Sequence, residues 1–173
     1  MRIDKITLVR IFQEIYKLKY NAEMYNIKRT NSDDIDFQNL VIELDKDLAI
    51  RDGEEHDFFA QFNKISAIKY VVVLYENEIA VGCGAIKEYE ENVMEIKRMF
   101  VPQKKRGKGI ASIVLKELES WTKELGFEKC ILETGIKQPE AICLYKKNDF
   151  VIIKNYGQYA EIEDSVCFEK IVV

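Results

Sequence analysis

The chain has 173 residues, 47% of them hydrophobic, which suits one domain with a continuous core better than two domains sharing the apolar residues. Two Pro and eight Gly stand against nine Tyr and nine Phe, which excludes collagen-like sequence and leaves little room for disorder. With 26 Lys and Arg against 30 Asp and Glu the formal charge is -4, so there is no general basic field for nucleic acid.

In chain order, Ile6, Val9, Phe12, Ile15 and Tyr16 recur at roughly helical spacing and predict an N-terminal helix over 1–23, an extension to a domain spanning 24–173. Tyr25 to Thr30 predicts a short strand. Asn31 to Asp34 offers capping oxygens before Phe37, Leu40, Val41, Leu44 and Leu48, which share a helix face. Phe58, Phe59, Phe62 and Ile65 suggest a second short helix. Tyr70 to Tyr75, Ile79 to Ile86 and Val93 to Val101 then read as an antiparallel meander joined by Glu- and Asn-containing turns.

From Gly107 to Leu125, Ile110, Val114, Leu118, Trp121 and Leu125 mark a helix stopped at Gly126. Lys129 to Leu132 predicts a strand parallel to 93–101, since the intervening helix makes a right-handed crossover. Pro139 to Lys147 predicts a helix, and Phe150 to Lys154 with Val166 to Val173 the closing strands. The fold class is α+β, a mixed and mostly antiparallel central sheet flanked by helices.

Cys83, Cys130, Cys143 and Cys167 form no CxxC pair and read as reduced core or near-core residues. No apolar run is long enough to cross a bilayer and no signal-peptide pattern is evident, so the expected location is the cytoplasm, with no membrane partner.

Between the strand ending at Val101 and the next helix lies Pro102-Gln-Lys-Lys-Arg-Gly-Lys-Gly109. Its glycines let the backbone curl with N–H groups facing one concavity, while Lys104, Lys105, Arg106, Lys108 and the helix N-terminus add positive potential: a cradle for a pyrophosphate. Taken alone, such a loop is better read as a basic, solvated turn with a glycine helix entry. There is no GxxxxGK[ST] and no GxGxxG, which argues against a nucleoside triphosphate or dinucleotide site.

Glu95-Ile-Lys-Arg-Met-Phe-Val101, Lys104-Lys-Arg-Gly-Lys-Gly109, Leu132-Glu-Thr134, Gln138-Pro-Glu-Ala-Ile-Cys-Leu-Tyr145 and Asn148-Asp-Phe150, in this order, resemble the GNAT acetyltransferases. The resemblance covers about residues 24–170. It implies the acyl-CoA N-acyltransferase fold and acetyl-CoA as co-substrate, with no metal. Residues 104–109 would hold the CoA pyrophosphate in the R/Q-x-x-G-x-G/A manner, with Lys104 in the usual Arg or Gln position and Ile110 and Ala111 continuing into the helix. Phe100 and Val101 would offer backbone groups to the pantetheine arm and the thioester carbonyl, where two parallel strands splay apart. Gln138 would take the place of a pantetheine-contacting Asn. Tyr145 falls where many members carry a tyrosine beside the CoA sulfur, making it the candidate general acid; without the resemblance it reads as a core tyrosine.

An amine acceptor must lose a proton before it attacks a thioester. Glu95 matches the position of a glutamate base in some members, and a surface carboxylate paired with Lys97 or Arg98 is the equally weighted alternative. Strict alternation puts Glu95, Lys97, Met99 and Val101 on one sheet face and Ile96, Arg98 and Phe100 on the other. His56, the single histidine, lies in an acidic stretch and reads first as a capping or solvated residue, second as a proton relay. The function expected is transfer of acetyl to a primary amine of a small molecule or peptide. The rivals are a catalytically silent acyl-CoA sensor and a nucleic-acid binder using 104–108. Exposed closing strands leave a homodimer open.

Overall fold

A computed structural model describes residues 24–53, 65–66 and 68–173. The N-terminal helix, most of the second short helix and His56 lie outside the described residues.

The described chain runs β1 (Tyr25–Thr30), α1 (Ile35–Asp52), β2 (Tyr70–Glu76), β3 (Ile79–Glu90), β4 (Val93–Phe100), α2 (Ile110–Glu124), β5 (Lys129–Gly135), α3 (Pro139–Lys147), β6 (Val151–Ile153) and β7 (Ser165–Ile171). The sheet order is β1-β2-β3-β4-β5-β7-β6. All neighbours are antiparallel except β4 and β5, which the α2 crossover makes parallel.

Local chemistry accounts for the boundaries. Asp34 caps α1, its Oδ1 accepting from the Asp36 and Phe37 amides at 3.0 Å. α2 starts at Ile110, not Gly107, because Gly107 and Gly109 have φ of 80° and 83°, outside the helical region. β3 runs on to Glu90, past the expected Ile86, since Glu88 and Glu90 still pair with Met94 and Val93. The last strands are shorter than expected: Asp149 is left-handed and the segment after β6 turns through a 3-10 helix at Gly157–Tyr159.

One core lies on each face of the sheet. α1 packs Phe37, Leu40, Val41 and Leu44 against Val71, Val73, Cys83, Ala85 and Phe100. On the other face, Ile110, Val114, Leu115 and Leu118 of α2 and Tyr145 of α3 meet Val72, Leu74, Ile86, Met94, Ile96 and Val101. Here β3 must be bare. A Cβ on Gly82 would sit 2.7 Å from Ile110 Cγ2, and one on Gly84 would sit 2.5 Å from Met99 Sδ and 2.8 Å from Leu118 Cδ1. These two glycines set how closely the start of α2 approaches the sheet.

Candidate active site

β4 and β5 pair at Val93–Lys129, Met94–Cys130 and Glu95–Ile131, then continue to Phe100 and Gly135 without pairing to each other. The divergence has a local cause. Across β3, Cys83 faces Phe100 and Ala85 faces Lys97, so Gly84 stands opposite both Arg98 and Met99. This is a bulge whose left-handed residue, Arg98, has φ 57°. An extra residue on one strand bends it, and here the bend falls within the stretch of β4 that follows the last β5 pair at Glu95 and keeps the two strands apart.

The bulge also corrects the alternation expected for β4. Met94, Ile96, Met99 and Val101 face the α2 core, whereas Phe100 joins the α1 core and Arg98 reaches Asp45 on α1. Glu95, Lys97, Arg98 and Phe100 therefore share the α1 face. An inserted residue advances the side-chain phase by one, so every position after it changes sides.

The wedge holds two clefts. The larger, about 330 Å³ on the α2 side, is bordered by Phe100, Val101, Lys105, Arg106, Gly107, Gly109, Ile110, Ala111, Gln138 and Tyr145. Lys104 is exposed and Lys108 half-exposed, and neither borders this space. A Cβ on Gly107 or Gly109 would meet nothing within 4 Å, so glycine is required there for backbone conformation and the hollow above the loop is open. Gly109, the residue before α2, provides no side-chain cap, leaving the first amides of the helix to the cleft.

The loop cations are balanced by carboxylates on neighbouring elements. Lys105 pairs with Glu76, and Lys108 lies 3.8 Å from the same carboxylate. Arg106 donates to Asp47 Oδ2 and to the Val101 carbonyl, each at 2.9 Å. Arg51 bridges Asp47 and Glu140, joining α1 to α3 across the cleft mouth. The Lys105 hydrogen bond holds Glu76 below the usual carboxylate range. Burial opposes the same shift at Asp47, and the Arg106 hydrogen bond with the charges of Arg51 and Arg106 outweighs it.

The smaller cleft, about 110 Å³ on the α1 side, is bordered by Glu95, Lys97, Arg98, Glu133, Thr134 and Tyr159. Leu44, Met99, Gln138, Ala141 and Tyr145 border both clefts, so the two meet around these residues, Tyr145 among them. Tyr145 is 5% exposed, its ring set by Phe150 and Phe168 at 5.9 and 5.6 Å. Burial first, then the charge of Glu133, raises its hydroxyl well above the ordinary phenol value, so it stays protonated. Asn148 Nδ2 donates to Ser112 Oγ at 3.1 Å, tying the end of α3 to the start of α2.

Glu95 is 6% exposed on a central strand and is no surface carboxylate. Lys97 Nζ lies 3.2 Å from Oε2, and the Tyr156 hydroxyl donates to Oε1 at 3.2 Å. Burial, then the Glu95 charge, drives the Tyr156 phenol far upward, so it remains a donor. Phe100 pairs with Cys83 of β3, and the Cys83 thiol donates to the Arg98 carbonyl at 3.6 Å.

Tyr156, Arg98, Glu133 and the Asp47–Arg51–Glu140 network were not expected from sequence. Only the arginine inside a strand pattern, at position 98, hinted at them.

The family model for GNAT acetyltransferases matches residues 23–150. The chain belongs to this family. An IAA acetyltransferase of Azospirillum brasilense is 37% identical over 91 residues, 52% of this chain and 60% of that protein's length, so the likeness leaves two-fifths of the relative unmatched. Among solved structures, a Klebsiella pneumoniae protein described as an acyl-CoA N-acyltransferase superposes with a TM-score of 0.72 at 27% identity, over 87% of this chain and 99% of that one. The PaiA N-acetyltransferase of Thermoplasma acidophilum, solved in complex with coenzyme A, shares the fold with a TM-score of 0.63 at 16% identity, over 85% and 98% of the two chains. This GNAT chain thus carries the acyl-CoA N-acyltransferase fold. Among its described residues no helix is long and apolar enough to cross a membrane.

Proposed function

We propose that this GNAT chain transfers acetyl from acetyl-CoA to a primary amine of a small molecule or peptide. The observation that carries this reading is the meeting of two clefts around Tyr145, inside the wedge that opens once the β4–β5 ladder ends at Glu95. The open, glycine-shaped loop at one mouth suits the pyrophosphate, and the apolar wall of Val101, Ile110, Ala111 and Ala141 suits the pantetheine arm. When bound, acetyl-CoA supplies a thioester whose acyl carbon a neutral amine attacks, the carbon–nitrogen bond forming as the carbon–sulfur bond breaks.

The chain's own groups then have distinct tasks. Lys105, Arg106 and the amides at Gly107, Gly109, Ile110 and Ala111 hold phosphate oxygens, with Lys104 and Lys108 adding charge from outside. Gln138 holds the arm. The amide of Phe100 or Val101 offers the hydrogen bond for the carbonyl oxygen. Glu95, positioned by Lys97 and Tyr156, takes the amine proton directly or through water, and the Tyr145 hydroxyl returns one to the sulfur. The three buried thiols fit a reducing, cytoplasmic setting, and edge strand β6, with Val151 and Ile152 exposed, offers a face for pairing of two copies.

The test is a thiol-release assay with acetyl-CoA and a panel of primary amines. The reading expects amine-dependent CoA release that Glu95→Gln slows most near neutral pH, where the amine is still protonated, and least at alkaline pH, where free amine is abundant. Release that ignores every amine, or is indifferent to Glu95→Gln at all pH values, counts against it.

A further inference from the structure

The bulge residue of β4 is an arginine whose hydrogen-bonding capacity is only partly used. Arg98 holds φ 57°, a left-handed conformation unfavourable for a non-glycine residue, so the position gives up stability to present this side chain. The side chain is 2% exposed, and Nη2 lies 2.5 Å from Asp45 Oδ1 on α1, a carboxylate 47% exposed. A guanidinium has several N–H donors, and among the described residues the buried Nε has no partner. A buried cation compensated by one half-exposed carboxylate is under-partnered.

Arg98 borders the smaller cleft with Lys97, Glu95, Glu133 and Thr134. Two cations and two carboxylates thus share one small space. Lys97 is engaged with Glu95, and the Ser165 hydroxyl donates to Glu133 at 2.7 Å. Such a balance disfavours a simple polycation, which Lys97 and Arg98 repel. It matches a zwitterion, with its ammonium toward Glu95 and Glu133 and its carboxylate toward Arg98 and the Thr134 hydroxyl.

We propose that the acceptor is a free amino acid or a close amino carboxylate, and that Arg98 binds its carboxylate. This rests on the acetyl-transfer reading above and names the acceptor class for the same cleft. Asp45 is then the placeholder partner that an incoming carboxylate shares or displaces. Because the planar guanidinium matches a carboxylate in a way an ammonium does not, Arg98→Lys is the informative change.

The experiment is calorimetric titration of the full chain, saturated with CoA, with common L-amino acids and their carboxamides. At least one free acid is expected to bind about tenfold tighter than its amide, the scale of one charge-assisted hydrogen-bonded pair. Arg98→Lys should reduce that ratio to about threefold or less with CoA affinity unchanged, and Asp45→Asn, at a half-exposed site that tolerates change, should raise it. Equal binding of every acid and amide overturns the proposal. So does an Arg98→Lys protein with a lowered melting temperature and an unchanged ratio, for then Arg98 only anchors α1. If Arg98→Lys does not fold, a ratio unmoved or lowered by Asp45→Asn overturns it. Acetyl transfer on the same panel separates the two readings. Acid-selective binding without transfer sinks acetyl transfer and keeps the Arg98 role, whereas transfer to acids and amides alike does the reverse.

Discussion

On the α2 side of β4 the cleft is lined mostly by one continuous stretch, Met99 to Ser112, closed over by α3, with glycines and main chain at its mouth. On the α1 side, charged and phenolic side chains from β4, β5, α3 and the segment between β6 and β7 stand against an apolar wall that includes Leu44 and Leu48 of α1. The first is a surface made by backbone conformation, which suits an invariant ligand such as CoA. The second is made by side chains and is where one GNAT chain can differ from another.

This contrast predicts different responses to substitution. The largest effect is expected at the loop. Gly107→Glu forces a side chain into φ 80° and sets a carboxylate where phosphate oxygens belong, and together these should weaken CoA binding by about a thousandfold in titration. A loss below tenfold would break the assignment of the loop. Next, Tyr145→Phe should lower kcat by about a hundredfold while CoA affinity changes by less than about twofold, because the hydroxyl and not the ring is removed. Equal losses in both would mean that Tyr145 only packs.

Gly84→Val tests the support beneath both clefts. Its Cβ would meet Met99 Sδ and Leu118 Cδ1 at 2.5 and 2.8 Å, so unfolding measurements should show a loss of about 2 kcal/mol or more. The pH response of Tyr145 is subtler. Its phenol is raised above the ordinary value, so the proton-donating form persists as pH rises through 10, and kcat should show no alkaline fall near the ordinary tyrosine value. The smallest effect concerns thiols. Cys83 is pushed up to about 12, Cys130 and Cys167 to about 11, all three chiefly by burial, whereas Cys143 is exposed and borders the larger cleft. Native alkylation should therefore modify Cys143 alone among the described cysteines, and CoA should slow it.

Much of the larger cleft was legible in the sequence because its parts are local. Two glycines within a basic loop, a strand before it and a strongly periodic helix after it need no distant partner to be recognised. The smaller cleft was not legible in the same way. The bulge at Arg98 depends on pairing with Gly84 in β3, and no glycine at position 98 signals it, so strict alternation put Met99, Val101, Arg98 and Phe100 on the wrong faces. Tyr156 reaches Glu95 from 61 positions away, and Arg98 reaches Asp45 across 53, contacts that only the folded sheet creates. Glu95 itself stands out in the sequence as a candidate, but the partners that hold each of its oxygens came from the tertiary structure.

The central claim is that acetyl passes from CoA in one cleft to an amine in the other. Incubation of the chain with isotopically labelled acetyl-CoA and a mixture of amino acids, amines and peptides, followed by mass spectrometry, tests it most directly. The account predicts labelled acetyl on a primary amine in step with CoA release, and loss of that label with Tyr145→Phe. Tight CoA binding with no labelled amine in the mixture would contradict it and leave an acyl-CoA sensor in its place.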